Sequence, residues 1–326
     1  MQEQAGSGMR QMIKTVFAWF DAEAAAKATA SNQTTELKID WLRCFPFLLV
    51  HVSCLMVIWL GWSPAAVSVA ALAFFVRMFA ITGFYHRYFS HRSFKTSRFC
   101  QFFFAAIGSA SAQRGPLWWA SHHRNHHKYS DREDDLHSPI QHNFLWSHLG
   151  WFLSNKAYAT DYSVIPDLAK FPELRFLNRF DSLMPALMAV GMYLLGDWMA
   201  SAYPESGTSG WQMVLWGFCI STVVLFHATF SINSLGHVWG SRRFATKDQS
   251  RNNPWLAVIT LGEGWHNNHH RFAVSARQGF YWWELDITYL VLKGLAFVGI
   301  VRDLNPVPRR ILEEGKGNPP TTQPQG

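Results

Sequence analysis

The sequence has few charged residues, and none of its four cysteines forms a CxxC pair. Charged residues make up 16% of the chain, against roughly 25% in an average soluble domain. There is no GxGxxG segment and no HPGG-type motif either, which argues against a fused flavin, nucleotide, haem or CxxC-type iron–sulfur module. Three of the cysteines lie in apolar runs, so we interpret all four as small hydrophobic residues.

In place of charge the sequence has aromatic and apolar residues, including 16 Trp and 26 Phe. Four apolar runs reach the length of about 20 residues that a membrane-crossing helix needs. They cover about 44–62, 64–85, 182–200 and 211–235. Two shorter apolar pieces, 99–112 and 287–301, predict helices that dip into the membrane or lie on it. The fold class expected is an all-α integral membrane protein with four transmembrane helices.

Lysine and arginine are distributed unevenly among the connections. The connections 61–64 and 201–210 contain neither, whereas the segment after the second run and the C-terminal region are rich in both. The positive-inside rule therefore predicts that the two short connections are external and both termini cytoplasmic. The net charge of +7 is attributed to this bias, so nucleic acid is not an expected partner.

The chain divides into three parts. Residues 1–36 form an N-terminal arm, interpreted either as an amphipathic surface helix or as a poorly ordered segment. Residues 37–303 form the membrane domain. Residues 304–326 form a proline-rich tail that is expected to be disordered, above all beyond about Gly315.

Histidines cluster in three elements that would all lie on the cytoplasmic side, as a helical cap over the spans. Two elements read HxxHH, a spacing that places the three imidazoles on one helical face. The third is an HxxxxH box at the end of the second run, and one more histidine ends the fourth run. The nine histidines are His86, His91, His123, His126, His127, His237, His266, His269 and His270.

Nine imidazoles exceed the coordination of one metal, so the pattern predicts two metal ions, with Asn233 contributing through water. Clusters without carboxylates favour iron, copper, nickel or zinc. A five-residue step turns an ideal helix by about 140°, so His86 and His91 can share a metal only if the helix ends or bends between them. The other nearby histidines are expected at the surface or behind the ligands: His122, His137, His142 and His148. The acids that could support ligands are Asp131, Glu133, Asp134, Asp135 and Glu263.

Three ionisable residues lie near the middle of the predicted spans: His51, Arg77 and His227. One hypothesis joins them in a polar cluster at the outer end of a substrate channel. The alternative is that backbone carbonyls or water satisfy Arg77.

The order HxxxxH, HxxHH, HxxHH with four spans resembles the membrane fatty acyl desaturases, specifically the stearoyl-CoA type, over about residues 40–300. The segments 229–237 and 262–266, with Gln113 and Trp119, fit the same pattern. The resemblance implies a diiron enzyme that uses O₂ and two electrons to introduce a cis double bond into a saturated acyl-CoA near carbon 9. The alternatives are an acyl-lipid desaturase and a related membrane diiron hydroxylase. A non-enzymatic metal carrier would place its ligands near the bilayer midplane, unlike these.

The resemblance also assigns roles to residues. It implies that Gln113, Trp119 and Thr229 shape the acyl channel, and that Phe74 and Met78 close it. It implies His86, His91, His123 and His270 around one iron, and His126, His127, His237, His266 and His269 around the other. A separate donor, namely ferredoxin, rubredoxin or cytochrome b5 with a reductase, must supply electrons, because the chain carries no such module. The membrane would be the inner membrane of a bacterium or the endoplasmic reticulum of a eukaryote.

Overall fold

The computed structural model describes residues 20–30 and 37–317, and most of the described chain is helical. In chain order its α-helices are α1 (Ala22–Ala30), α2 (Trp41–Ser53), α3 (Val57–Leu60), α4 (Pro64–Phe79), α5 (Arg98–Ser109), α6 (Pro116–Tyr129), α7 (Pro166–Ala169), α8 (Pro172–Arg179), α9 (Leu183–Ala202), α10 (Gly210–Met213), α11 (Ser221–Val238), α12 (Pro254–Ile259), α13 (His266–Arg271), α14 (Ile287–Phe297) and α15 (Arg309–Gly317).

Other helical turns and one small sheet complete the described structure. The π-helical segments are Ala80–Ser90, Trp146–Gly150 and Val214–Ile220. The 3₁₀ turns are Cys54–Met56, Trp151–Leu153, Asn155–Ala157, Tyr162–Val164 and Pro204–Ser206. Strands β1 (Lys95–Thr96) and β2 (Val301–Arg302) pair antiparallel, with Lys95 opposite Arg302. This pairing ties the segment after the second apolar run to the C-terminal region.

Three helical stretches are long and apolar enough to cross a membrane: Pro64–Ser90, Leu183–Ala202 and Gly210–Val238. They agree with the second, third and fourth predicted runs. The first run is helical over 41–60, but its apolar part, Cys44–Leu60, is shorter than the other three. Outward side chains on these helices are apolar and exposed, as a surface that faces lipid requires.

Local sequence explains where the long helices begin. The Ser63 hydroxyl accepts a hydrogen bond from the backbone N–H of Ala66 at 3.1 Å, and Pro64 occupies the first helical position. The Ser209 hydroxyl caps the fourth stretch in the same way, at 3.2 Å from the N–H of Gln212. Gly61 has φ of 63° in the tight connection before Ser63, a conformation that glycine adopts without strain.

The main core lies where the second stretch packs against α5 and α6. Phe84 and Phe104 stack there with ring centroids 3.9 Å apart, and Met78, Phe89 and Leu117 are fully buried around them. Packing of this kind holds the π-helical end of the second stretch against α6, and so fixes two of the histidine-bearing elements relative to each other.

The C-terminal region differs from expectation. Within the tail that was expected to be disordered, α15 forms a regular helix, and its Ile311 is 1% exposed against Phe244 and Tyr281. Arg271 donates to Glu314 at 2.8 and 2.5 Å, which adds an ion pair to this apolar contact. The apolar face of α15 and its ion pair with Arg271 stabilise this helix, although the proline content of the tail does not predict a helix there. Most of the proposed N-terminal amphipathic face, 9–20, lies outside the described residues, as does 318–326.

Candidate metal centre

The first histidine box lies at the end of a π-helical segment, Ala80–Ser90. His86 is inside this segment, and His91 is the residue that caps it. A π-helix closes i→i+5 hydrogen bonds and therefore stacks residues five apart. His86 and His91 accordingly have ring centroids only 5.0 Å apart. The π-helical geometry takes the place of the bend or helix end that the spacing of the two histidines requires, and both imidazoles point to the same side.

Helix α6 carries the first HxxHH element. His123 and His127, four residues apart, lie on one face with their Nε2 atoms 3.0 Å apart. His126 lies a turn of about 100° from His127 and points elsewhere. The element therefore divides its three imidazoles into a pair and a single residue.

Helix α13 carries the second HxxHH element and divides it in the same way. His266 and His270 are the pair, with ring centroids 4.3 Å apart. His269 is the single residue, and its Nε2 lies 2.9 Å from that of His127 on α6. Each single histidine thus joins the pair of the opposite helix.

Two groups of histidines result, each with ligand atoms within 4.8 Å of one another. Cluster A is His86, His91, His123, His127 and His269. Cluster B is His126, His237, His266 and His270. The expected division was wrong for three residues, since His127 and His269 belong with His86, and His270 belongs with His126. The pairing of residues four apart on one helix face is the physical reason.

Distances within cluster A fit a metal ion. His86 and His269 have Nε2 atoms 3.0 Å apart, and those of His91 and His123 are 2.8 Å apart. Two nitrogens each about 2.1 Å from one ion, at a right angle, would be about 3.0 Å apart. Neutral imidazoles at this spacing suit a first-row transition metal.

Cluster B has the same character. The Nε2 atoms of His237 and His266 are 3.1 Å apart. The Nε2 of His270 is buried and has no hydrogen-bond partner within the described structure, which leaves its lone pair free for a ligand bond. Asn233 lines a small cavity together with His126 and His266, so its position suits a contribution through water.

Carboxylates hold the outer nitrogens of four clustered histidines. His126 Nδ1 donates to Asp135 at 3.0 Å, His237 Nδ1 to Asp131 at 2.8 Å, His270 Nδ1 to Asp248 at 2.9 Å, and His86 Nδ1 is paired with Glu263. Such bonds set the tautomer and aim Nε2 at the metal. Three of these acids were among the five candidates. Glu133 and Asp134 are exposed and take no part, and Asp248 was missed.

A buried charge network supports Glu263. Arg87, 1% exposed, donates to Glu263 at 3.0 Å, to Asp286 at 3.1 Å and to the Ala276 carbonyl at 2.8 Å. Gly262 has φ of 126°, and a Cβ there would lie 2.4 Å from Asp286. Only glycine therefore allows the chain to turn Glu263 towards His86 beside this network. No sequence spacing connects Arg87 with Asp286.

The protonation states suit metal binding. Burial, reinforced by neighbouring histidines, lowers the pKa values of several clustered histidines well below their usual range, which keeps them neutral: His91, His123, His127, His266 and His269. Burial also lowers the pKa of His270 to about 4, against the opposing hydrogen bond to Asp248. Burial would raise the pKa of Asp131, but the hydrogen bond and charge of His237, together with hydrogen bonds from Ser138 and the Gln249 N–H, outweigh burial and lower the pKa to about 2. His126 differs. Burial would lower its pKa, but the charge and hydrogen bond of Asp135, together with the charges of Asp131 and Asp248, outweigh burial and raise the pKa.

A cavity of about 360 Å³ lies beside cluster A, lined mostly by aromatic and aliphatic side chains. A second, of about 50 Å³, lies between the clusters and contacts His86, His126 and His266. The two share four wall residues: Trp119, His123, Thr229 and Asn233. The larger cavity extends to Phe218, about 22 Å along the fourth stretch from Asn233 at 1.5 Å per residue.

The residues predicted to shape a channel fall into two groups. Gln113, Trp119 and Thr229 all line the large cavity, and Gln113 Nε2 donates to Thr229 Oγ1 at 2.7 Å. Phe74 and Met78 line neither cavity; Met78 is fully buried in the main core, and Phe74 packs at its edge. Counting residues along one helix could not give the direction in which these two side chains point.

The intramembrane residues separate as well. His51 Nε2 lies 3.3 Å from His227 Nε2, and His227 Nδ1 lies 3.0 Å from His148 Nε2. Arg77 contacts none of them and donates to backbone carbonyls and hydroxyls instead. The hypothesis of one three-residue cluster was therefore wrong for Arg77. The alternative is confirmed in part, because backbone carbonyls accept two of its four hydrogen bonds and the hydroxyls of Ser221 and Thr222 accept the other two.

The other histidines near the clusters have varied surroundings. His137 lies 3.4 Å from Asp135, beside His126, behind cluster B. Burial lowers the pKa of His122, which packs on Trp118 at the cavity wall, to about 4.

Comparison with known proteins shows what the chain is similar to. The sequence model of the family described as "Fatty acid desaturase" matches residues 59–296. The acyl-CoA 5-desaturase AL21 of Anemone leveillei is 37% identical over 280 residues, covering 82% of this chain and 83% of that protein.

Relatives named for lipid substrates match over a comparable length. The sn-1 stearoyl-lipid 9-desaturase of Anabaena variabilis is 34% identical over 83% of this chain and 96% of its own length. The Delta-9 acyl-lipid desaturase 1 of Arabidopsis thaliana is 36% identical over 87% of this chain and 89% of its own length.

Proposed function

Since the chain belongs to the fatty acid desaturase family, we propose that it introduces a cis double bond near carbon 9 of a saturated acyl-CoA. The reaction removes two hydrogen atoms from adjacent methylenes, and O₂ takes up these two hydrogen atoms together with two electrons and two protons to form two molecules of water. The observation that carries the proposal is an apolar cavity of about 360 Å³ whose wall includes His123 of cluster A.

Clusters A and B would hold one iron ion each, with Asn233 contributing through water. Iron bound by these residues would supply the activation of O₂ that breaking an unactivated C–H bond requires. The spacing of the Nε2 atoms, the unpartnered Nε2 of His270 and the carboxylates behind the ligands all fit this assignment.

The chain's own residues would orient the substrate. The apolar lining of the cavity would exclude water and hold two methylenes beside the clusters, which would fix the reaction at one position along the acyl chain. Trp119 stacks on His123 with centroids 5.0 Å apart, so it bounds the acyl chain next to the ligand set. The hydrogen bond between Gln113 and Thr229 joins two further lining residues of the same cavity.

The membrane arrangement that goes with this function has four spans, with the helical segment 41–60 as the first. Both termini and the histidine-bearing cap would face the cytoplasm, in a bacterial inner membrane or the endoplasmic reticulum. Ferredoxin, rubredoxin or cytochrome b5 with a reductase would deliver electrons to the basic cytoplasmic face.

A second candidate is desaturation of an acyl chain esterified in a membrane lipid. Phosphates of coenzyme A would need available cations, yet basic residues near the cap form ion pairs with carboxylates. These pairs are Arg92–Asp167, Lys95–Asp303, Arg98–Glu173 and Arg114–Asp181. The large cavity is also lined by Phe47 and Val50 on α2 and by Pro185 on α9. Two membrane helices therefore form part of its wall, and the chain of a membrane lipid would enter the cavity between them.

The test is expression in a host that lacks desaturase activity, followed by gas chromatography of total fatty acids. We expect a new monounsaturated product with the wild-type chain and none with His123→Ala. The matched control is His142→Ala, which removes a histidine outside both clusters and should leave the product unchanged. A hydroxylated product, or no product from a folded wild-type chain, would overturn the proposal. Purified protein given stearoyl-CoA or stearoyl phospholipid in nanodiscs separates the two carriers.

A further inference from the structure

Arg77 lies within the second membrane-crossing stretch and is only 2% exposed. Its guanidinium makes four hydrogen bonds. Nε donates to the Ala73 carbonyl at 3.0 Å, and Nη1 donates to the Ala110 carbonyl at 3.1 Å and to Thr222 Oγ1 at 2.7 Å. Nη2 donates to Ser221 Oγ at 2.6 Å. One side chain therefore links three elements: its own helix, the end of α5 and the start of α11.

No carboxylate lies within ion-pair distance of Arg77 among residues 20–30 and 37–317. A buried cation without an opposite charge costs folding free energy, and an apolar residue of similar volume would avoid that cost. The planar fork of the guanidinium fixes its partners in a definite geometry, which a flexible ammonium cannot do. What Arg77 contributes is therefore the relative position of the three elements.

The turn after α5, which Arg77 contacts at Ala110, forms part of the substrate cavity. Ala110 begins a turn, 110–114, in which Ala112 and Arg114 have φ of 55° and 69°, a backbone region that costs non-glycine residues free energy. Ala112, Gln113 and Arg114 all line the large cavity. A turn of this kind needs outside contacts to keep its shape.

The turn is attached to the fourth stretch at two levels. Gln113 holds it to Thr229, and Arg77 holds Ala110 to Thr222, which lies about 11 Å from Thr229 along the helix. Held by these two attachments, the turn lines the cavity together with Thr229 and Asn233 of the fourth stretch.

We propose that Arg77 is a positioning residue that sets which carbon atoms of the acyl chain lie at the metal centre, and so sets the double-bond position. The inference rests on the proposed desaturase function. An extended chain advances about 1.2 Å per bond. A displacement of the turn by about 1 Å, a size that can change rates by about a hundredfold, therefore moves the reacting carbons by roughly one position.

The experiment compares double-bond positions in the products of three variants by mass spectrometry of derivatised fatty acids. Arg77→Met removes the link to Ala110 while keeping an apolar side chain of similar length. Thr222→Val removes one acceptor only and serves if Arg77→Met fails to fold. Ser109→Ala is the matched control, because it breaks a buried bond from the same two elements, Ser109 to Tyr85 at 2.8 Å, and leaves Arg77 intact.

We expect product with a shifted double bond to rise about tenfold or more with Arg77→Met, and by a smaller factor with Thr222→Val. Ser109→Ala should retain the wild-type position. Iron content, measured in parallel, should stay unchanged. Lower yield at an unchanged position, or the same shift with Ser109→Ala, would overturn the inference. A wild-type chain that forms no double bond would instead count against the proposed function.

Discussion

Asp248 offers a sharp test of how the metal centre is supported, because it acts on cluster B without being a ligand. One carboxylate oxygen accepts from His270 Nδ1 at 2.9 Å, and the other accepts from the Ser250 N–H at 3.0 Å. Asp248→Asn preserves the shape but offers only one oxygen. In either orientation its amide nitrogen faces an N–H donor, so one of the two bonds must be lost.

Loss of such a supporting bond typically lowers metal affinity ten- to a hundredfold, which corresponds to about 1.4–2.7 kcal/mol. The measurement is iron per chain, by mass spectrometry, as purified enzyme is titrated with a ferrous chelator. We expect the midpoint to fall by that factor with Asp248→Asn. The control is Asp134→Asn, an exposed acid close to cluster B in sequence. Equal midpoints for wild type and Asp248→Asn would refute the reasoning.

Three other predictions concern the cavity, the buried histidine chain and the C-terminal helix. Phe218→Ala should shift the products towards longer chains in gas chromatography, whereas Phe74→Ala should not, because Phe218 lines the cavity and Phe74 does not. His227→Leu leaves two polar partners unsatisfied and should lower thermal stability by about 1–3 kcal/mol while the product profile is retained. Ile311→Ala should cost α15 about 2–5 kcal/mol, measured by hydrogen exchange. The hydrogen bond from Arg271 lowers the Glu314 pKa from its ordinary value of 4.5. The contribution of this pair, under about 1 kcal/mol, is therefore present above about pH 4.5 and is lost as the pH falls through the lowered pKa.

Histidine spacing predicted the nine residues that the structure gathers into clusters A and B, because a helix repeats every 3.6 residues, a property of local sequence alone. The same rule, applied strictly, would have predicted the division as well, since the pair four apart in each HxxHH element shares a face. The analogy with related enzymes placed His127 differently. Geometry of the helix, already contained in the spacing, was the better guide.

What the sequence could not reveal depends on contacts between distant segments. Asp248 stands in a loop without any periodic pattern, and it meets His270 only because α13 folds back beside that loop. Phe74 packs at the edge of the main core, because the direction of its side chain depends on how the second stretch is rotated against α5. Helix α15 was missed for a different reason. The prolines around it predicted disorder, whereas its apolar face packs against the rest of the protein.

The exchange of single histidines between the two HxxHH helices has a structural consequence. His126 from α6 completes cluster B, and His269 from α13 completes cluster A. Neither helix can therefore leave its position without removing ligands from both groups, so the two clusters form only when α6 and α13 are packed together. Asp135 holds His126 of cluster B, and Arg87 supports the Glu263 that pairs with His86 of cluster A. Because the two helices share both clusters, loss of either support is expected to disturb both clusters although each support acts through one.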